Sequence, residues 1–283
     1  MEITKVGIIG CGLMGSGIAE QAARSGFEVV VREINEEVLR AGQERVTKSM
    51  ERGLQRGKMS QEEYDTALGR LSFTIETGDL TNCDIVIEAA TENMAIKKRI
   101  FAELDGMVKP DAILASNTSS LSIAEIASAT RRPDKVLGIH FFNPVPVMPL
   151  IEYVRGFQTS DETMAVARDF GAALGKETVE SKDRPGFIVN RLLIPYLLDA
   201  IRVMEEGVAT KEDIDQGIKL GLNHPMGPLT LADFVGLDTL LYIADAMYDE
   251  FKDPRYAAPP LLRRMVTAGH LGRKAGHGFY NYQ

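Results

Sequence analysis

The sequence predicts an α/β fold: a doubly wound, mostly parallel sheet with a helical-hairpin insertion, followed by an all-α C-terminal domain. Two patterns predict it. Short, near-continuous Val/Ile/Leu runs alternate with helical patterns through the first two-thirds of the chain, as strands covered on both faces do. After about residue 183 nothing alternates like a strand. With 283 residues, 45% of them hydrophobic, the chain can fill two ordinary cores without staples.

Taken in order, the expected strands are VGIIG (6–10), FEVVV (27–31), LSFTI (71–75), DIVIEA (84–89), AILAS (112–116) and VLGIHFF (136–142). A strand PLIEYV (149–154), a helix over 161–174 and a short strand near 177–181 follow. Residues 187–206 read as one long helix, apolar nearly all round, with Pro195 expected to bend it. Thr210–Asp213 has the spacing of a capping box, and helical patterns cover 228–248 and 259–268. The RPG at 184–186 breaks the pattern, which places the domains at 1–184 and 185–283.

Bulk properties narrow the function classes. A net charge of −8 argues against general nucleic-acid binding. No segment is long and apolar enough to span a bilayer, and the N-terminus enters a strand pattern without a signal-peptide layout. Cys11 and Cys83 show no paired spacing, so neither a disulfide framework nor a metal site is expected. Together these point to a cytoplasmic protein.

Gly10, Gly12 and Gly15, in GCGLMG, follow the first strand and open a helix expected over 16–25. That context makes the loop a Rossmann-type dinucleotide site, with Leu13 and Met14 inside it. Gly10 permits the turn, Gly12 lets backbone approach a pyrophosphate, and Gly15 lets the helix approach the sheet. The second strand ends in Arg32-Glu33. Glu33 would hold the ribose hydroxyls of NAD and repel a 2′-phosphate, whereas Arg32 could bind that phosphate in NADP.

The polar helical segment 35–68 interrupts the alternation. Arg45, Lys48, Arg52 and Arg56 are spaced 3, 4 and 4 apart, along one helix face, with Ser49 and Lys58 nearby. Such a stripe is either a solvated face or, on an acidic protein, a seat for a polyanionic handle.

His140 lies between Ile139 and two phenylalanines, in a chain with four histidines. It is either a core histidine or a proton-transfer group. Ligands of a doubly wound sheet bind beyond the carboxyl ends of the strands. The loop 116–119 and His140 both reach that side, and Ser122–Glu125 has capping-box spacing. Glu152, twelve residues on, could fix the imidazole tautomer and favour its proton acceptance. Asn190 interrupts the apolar face of the long helix and needs a partner, for which a substrate oxygen is one candidate.

The segments GIIGCGLMGSGIA, IEAATENMAIK, SNTSSLSI, GIHFFNPVPVMPLIE, PGFIVNRLL, LGLNHPMGPL and GRKAGHGFYNY resemble the 3-hydroxyacyl-CoA dehydrogenase family along essentially the whole chain. The resemblance implies reversible NAD(P)-dependent oxidation of a short (S)-3-hydroxyacyl-CoA to the 3-oxoacyl-CoA. It implies that His140 is the general acid/base and that Glu152 orients it. Ser119 and Asn190 match its substrate hydrogen-bonding residues, Glu92, Lys97, Asn117 and Asn143 its positions near the cofactor, with Ser119 beside them. Ser49, Arg52 and Arg56 match the region that receives the CoA phosphates. A homodimer formed through the C-terminal domain is expected as well. Two positions depart from the family: Glu33 stands where Asp is usual, and Pro149 where Lys is common.

Other readings remain. A 3-hydroxyisobutyrate or 6-phosphogluconate type of dehydrogenase uses a helix lysine instead of HFFNP with Glu152. A sugar-acid dehydrogenase on this scaffold could keep the His–Glu pair but lose the basic stripe. A non-catalytic NAD-binding protein would have no need of Ser119, His140, Glu152 and Asn190 together.

Overall fold

The structure, a computed structural model, describes residues 1–282. The chain divides after Arg184 into two units, each with its own hydrophobic core.

The first unit runs β1 (Lys5–Ile9), α1 (Leu13–Arg24), β2 (Glu28–Arg32), α2 (Glu36–Gln55), α3 (Gln61–Gly69), β3 (Leu71–Thr74), β4 (Ile85–Glu88), α4 (Met94–Asp105), β5 (Ile113–Ser116), α5 (Ile123–Ala127), β6 (Val136–Phe141), β7 (Leu150–Arg155), α6 (Asp161–Ala173) and β8 (Glu177–Lys182). The strands form one eight-stranded sheet in the order β3-β2-β1-β4-β5-β6-β7-β8. Neighbours are parallel except β6 and β7, which are antiparallel. The Rossmann-type sheet and the inserted helical hairpin are therefore as expected. The reversal of strand order across β1 and β4 leaves the crevice at their carboxyl ends that such sheets offer to ligands.

Local chemistry sets the hairpin. The Asn35 side chain accepts the Val38 N–H, and Glu36 and Glu37 stand in the first turn of α2, where the helix dipole favours them. Its buried stripe is Leu39, Gly42, Val46 and Met50. A full capping box, Ser60 with Glu63, starts α3.

The box expected at Ser122–Glu125 forms only in part. Ser122 caps Glu125 N–H, but the Glu125 carboxylate faces Lys98 at 3.6 Å. Asp183 takes the helix start instead, accepting from Ser122 Oγ (3.0 Å), Ile123 N–H (3.0 Å) and Ala124 N–H (2.8 Å). Arg56 caps α2 from outside rather than riding on its last turn.

The second unit holds α7 (Val189–Glu205), α8 (Lys211–Gly221), α9 (Pro228–Val235), α10 (Leu237–Phe251) and α11 (Pro260–Thr267). The helical pattern over 228–248 is two helices, because Gly236 sits at φ +97° and breaks the ladder. α7 runs through Pro195 and buries Ile194, Leu197, Leu198 and Ile201, while Leu192 is 72% exposed. Two buried acids tie the unit together. Asp215 accepts from the Leu229 and Thr230 amides, and Asp233 from those of Phe279 and Tyr280 and from the Tyr282 hydroxyl. Gly278 is obligatory here, since a Cβ would lie 2.0 Å from Asp233 Oδ1. Among the described residues, no helix is long and apolar enough to cross a membrane.

Candidate active site

The glycine loop has the geometry a pyrophosphate needs. Gly10 has φ +90°, and a Cβ on it would sit 2.5 Å from Ala90 Cα. A Cβ on Gly15 would sit 1.8 Å from the Gly10 carbonyl oxygen, so only glycine lets α1 start so close to β1. Gly12 is exposed, and the space beside it is open. It adds no side-chain cap to α1, whose first turn carries no acid. The N–H groups of Leu13, Met14 and Gly15 have no partner four residues back, a setting that favours an anion. The residues present thus fit a dinucleotide.

Glu33, 8% exposed, braces this loop. Its Oε1 accepts the Cys11 N–H at 2.5 Å and its Oε2 the Ile34 N–H at 3.0 Å. Arg45 Nη1 donates to the Cys11 carbonyl at 2.6 Å from the other side. Burial, then the Glu33 charge, pushes the Cys11 thiol up to about 12, with Arg45 opposing, so this cysteine is no nucleophile. Arg32, next to Glu33, has its Nε buried without a hydrogen-bond partner.

A second cluster gathers the loop after β5. Glu92 Oε1 accepts from Thr118 Oγ1 (2.7 Å), Ser119 N–H (2.9 Å), Ser119 Oγ (3.2 Å) and Ser120 Oγ (3.4 Å). Lys97 lies below it, 1% exposed, with its Nζ 2.6 Å from Glu88 Oε2, 3.2 Å from Ser116 Oγ and 3.5 Å from Glu92 Oε2. Asn117 Oδ1 accepts the Phe141 N–H at 2.9 Å, stitching this loop to the strand that carries His140.

His140 and Glu152 are cross-strand partners in β6 and β7. His140 Nδ1 is 2.7 Å from Glu152 Oε2; the imidazole is 7% exposed and the carboxylate fully buried. An ionised Glu152 accepts a proton-bearing Nδ1, which leaves Nε2 as the basic nitrogen of the neutral ring. The Phe142 ring lies against the imidazole, centroids 4.5 Å apart. Such a pair can take up and return a proton without losing its orientation.

Other expected residues lie on other elements. Asn143 is exposed beyond the end of β6, and Asn190 is buried in α7, in the second unit. Arg45, Lys48, Glu51, Arg52 and Gln55 line a groove of about 310 Å³ on α2. Arg45 is exposed like Lys48, Arg52 and Arg56, but its guanidinium is tied to the Cys11 carbonyl. Ser49, one turn in, is half-buried. Lys48 already pairs with Glu44 at 3.0 Å.

Sequence reasoning missed Glu88. A carboxylate closing the apolar run DIVIE is the signal that could have found it. It missed Asp84 for the same reason; that acid accepts from the Thr4 and Lys5 amides at 2.8 Å. Among the described residues, no group of three or more His, Cys, Asp or Glu could hold a metal ion.

Both units match known proteins along their length. Residues 5–184 match the model of the 3-hydroxyacyl-CoA dehydrogenase NAD binding domain, and residues 186–282 that of the C-terminal domain of the same family. A 3-hydroxybutyryl-CoA dehydrogenase from Mycobacterium tuberculosis is 55% identical over 282 residues, covering 99% of each chain. The crystal structure of M. tuberculosis FadB2 superposes with a TM-score of 0.98 at 54% identity, over all of both chains. That of (S)-3-hydroxybutyryl-CoA dehydrogenase PaaH1 from Ralstonia eutropha gives 0.95 at 47% identity, again over all of both chains. Glycine loop, buried His–Glu pair and both domain matches coincide on one chain, which belongs to the 3-hydroxyacyl-CoA dehydrogenase family.

Proposed function

We propose that this protein is an NAD-dependent oxidoreductase that interconverts (S)-3-hydroxybutyryl-CoA and acetoacetyl-CoA. The buried His140–Glu152 pair carries the reading, because it supplies the one proton-transfer device the reaction needs. The names of the full-length relatives support the substrate.

The nicotinamide, when bound, accepts or returns a hydride at the substrate's C3. Gly10, Gly12, Leu13, Met14 and Gly15 hold the pyrophosphate, and Glu33 meets the ribose. Glu92, Lys97, Asn117, Ser119 and Asn143 are assigned to the nicotinamide end, where Lys97 acts through Glu92, given its burial. His140 Nε2 takes the 3-hydroxyl proton in oxidation and returns it in reduction. Glu152 holds the ring and stabilises the imidazolium. Ser119 hydrogen-bonds the reacting oxygen, and Asn190 the thioester. Ser49, Arg52 and Arg56 receive the nucleotide phosphates. Glu33 favours NAD over NADP, because a carboxylate repels a 2′-phosphate.

A homodimer formed by the C-terminal unit fits Leu192, Leu220 and Leu222, exposed by 72%, 72% and 59%. Light scattering at micromolar concentration tests it, and a fully active monomer refutes it. The main test is absorbance at the nicotinamide band with acetoacetyl-CoA and either NADH or NADPH. Turnover with NADH supports the reading; turnover with neither cofactor overturns it.

A further inference from the structure

We propose that Glu88, at the end of β4, is a positioning residue that sets the Ser119 loop through Lys97 and Glu92. The inference rests on the reading of Ser119 as the group that hydrogen-bonds the reacting oxygen.

Glu88 is fully buried, and the contacts of one of its two carboxylate oxygens lead toward that loop. Oε1 accepts the Ala90 amide at 2.9 Å and the Thr91 amide at 3.4 Å, which shapes the turn into α4. Oε2 accepts from Lys97 Nζ at 2.6 Å and from Ser116 Oγ at 2.8 Å. Ser116 closes β5, directly before Asn117, Thr118 and Ser119. Its hydroxyl oxygen in turn lies 3.3 Å from the Thr118 N–H.

The arrangement places one buried ammonium between two carboxylates. Glu88 holds Lys97 closely at 2.6 Å, and Glu92 lies farther off at 3.5 Å. An ammonium that is 1% exposed must keep a counter-charge. With Glu88 in place, Lys97 is satisfied from below, and Glu92 keeps its Oε1 for the four donors of the loop. Without the Glu88 charge, Lys97 has Glu92 as its nearest carboxylate and pulls it away from those donors. Ser119 then loses the acceptor of both its N–H and its hydroxyl. Position, rather than contact with substrate, is therefore what Glu88 supplies.

The test is a cycle of Glu88→Gln, Lys97→Met and the double variant, read in two ways. Hydrogen–deuterium exchange of the Ser119 amide reports the loop without reference to activity. Steady-state reduction of acetoacetyl-CoA by NADH reports its use. Glu88→Gln is expected to speed Ser119 exchange at least tenfold and to lower kcat at least tenfold, with KM for acetoacetyl-CoA changed less than threefold. The double variant, which removes both buried charges, is expected to recover part of both losses relative to Glu88→Gln. A merely structural role would raise exchange at amides throughout the first unit together, whereas the positioning role raises it in the Ser119 loop alone. Should Glu88→Gln fail to accumulate, Glu88→Asp keeps the charge but retracts it from Lys97, and faster Ser119 exchange with a three- to tenfold fall in kcat is expected. Wild-type-like exchange in the folded variants, or a double variant no better than Glu88→Gln, overturns the proposal. Faster exchange in a protein whose wild type does not turn over acetoacetyl-CoA instead refutes the reading of function and leaves the positioning role standing.

Discussion

His140 and Glu152 face each other across the antiparallel pairing of β6 with β7, so backbone register alone delivers the carboxylate to Nδ1. The reversal of direction between β6 and β7 is what allows this. In a parallel pair the bonds slant and directly opposed residues do not recur in the same way. His140→Gln is expected to lower kcat by roughly 10²–10⁴-fold, the range of general acid–base catalysis, with NADH affinity largely kept. Near-normal kcat in the folded variant would remove His140 from the chemistry.

On the proposed reading Glu152 works through His140, which it touches. Glu152→Gln is expected to lower kcat and weaken its pH dependence. The double variant should be little worse than the worse single one, because residues acting as a unit are not additive. A double variant whose losses multiply fully would give Glu152 a separate task.

Glu33 braces the glycine loop, and on the proposed reading it also discriminates between cofactors. Glu33→Ala is expected to raise KM for NADH more than for NADPH, since the ribose contact and the repulsion of a 2′-phosphate go together. If the wild type already prefers NADPH, Arg32 is the determinant.

On α2, Arg52→Glu with Arg56→Glu is expected to raise KM for acetoacetyl-CoA several-fold. Exposed phosphate contacts are screened, so the effect should shrink at high salt. A truncated thioester without the nucleotide should be almost unaffected. Equal losses for both substrates would mean a solvated face only.

Asp84 gives a stability prediction with a definite sign. Burial pushes its carboxyl up, but Lys109, the Lys5 and Thr4 amides and the Thr4 hydroxyl together bring it down to about 2 from an ordinary 3.8. A depressed carboxylate stabilises the fold above its unfolded value and loses that contribution as pH falls through its folded one. The linkage is worth about 2 kcal/mol. Asp84→Asn should therefore melt lower than wild type at pH 7, and the gap should narrow between about pH 4 and pH 2. A gap independent of pH would rule out the charge as its cause.

Much of this was legible in the residues. Buried parallel strands are apolar on both faces, so the alternation predicted the whole sheet to within a residue or two at each end. Thr210 and Ser122 announced helix starts through bonds to residues three positions on. What escaped were acids whose partners lie far along the chain: Asp84 on Thr4, Asp183 on Ile123, Asp233 on Phe279. No local spacing encodes such a bond. Helical spacing put Arg45 in line with Lys48 and Arg52, and they do line one groove, but the bond from its guanidinium back to Cys11 spans 34 residues and was not legible.

The bond from Arg45 to Cys11 also bears on how this scaffold can diverge. One arginine of α2 is tied to the glycine loop, while Arg52 and, just past the helix end, Arg56 reach solvent nearby. On the proposed reading, mutation can rewrite those two charges, and with them the kind of molecular tail that is accepted, while Arg45 keeps the loop in shape. Substrate range and redox chemistry would then be heritable separately, although near neighbours serve both.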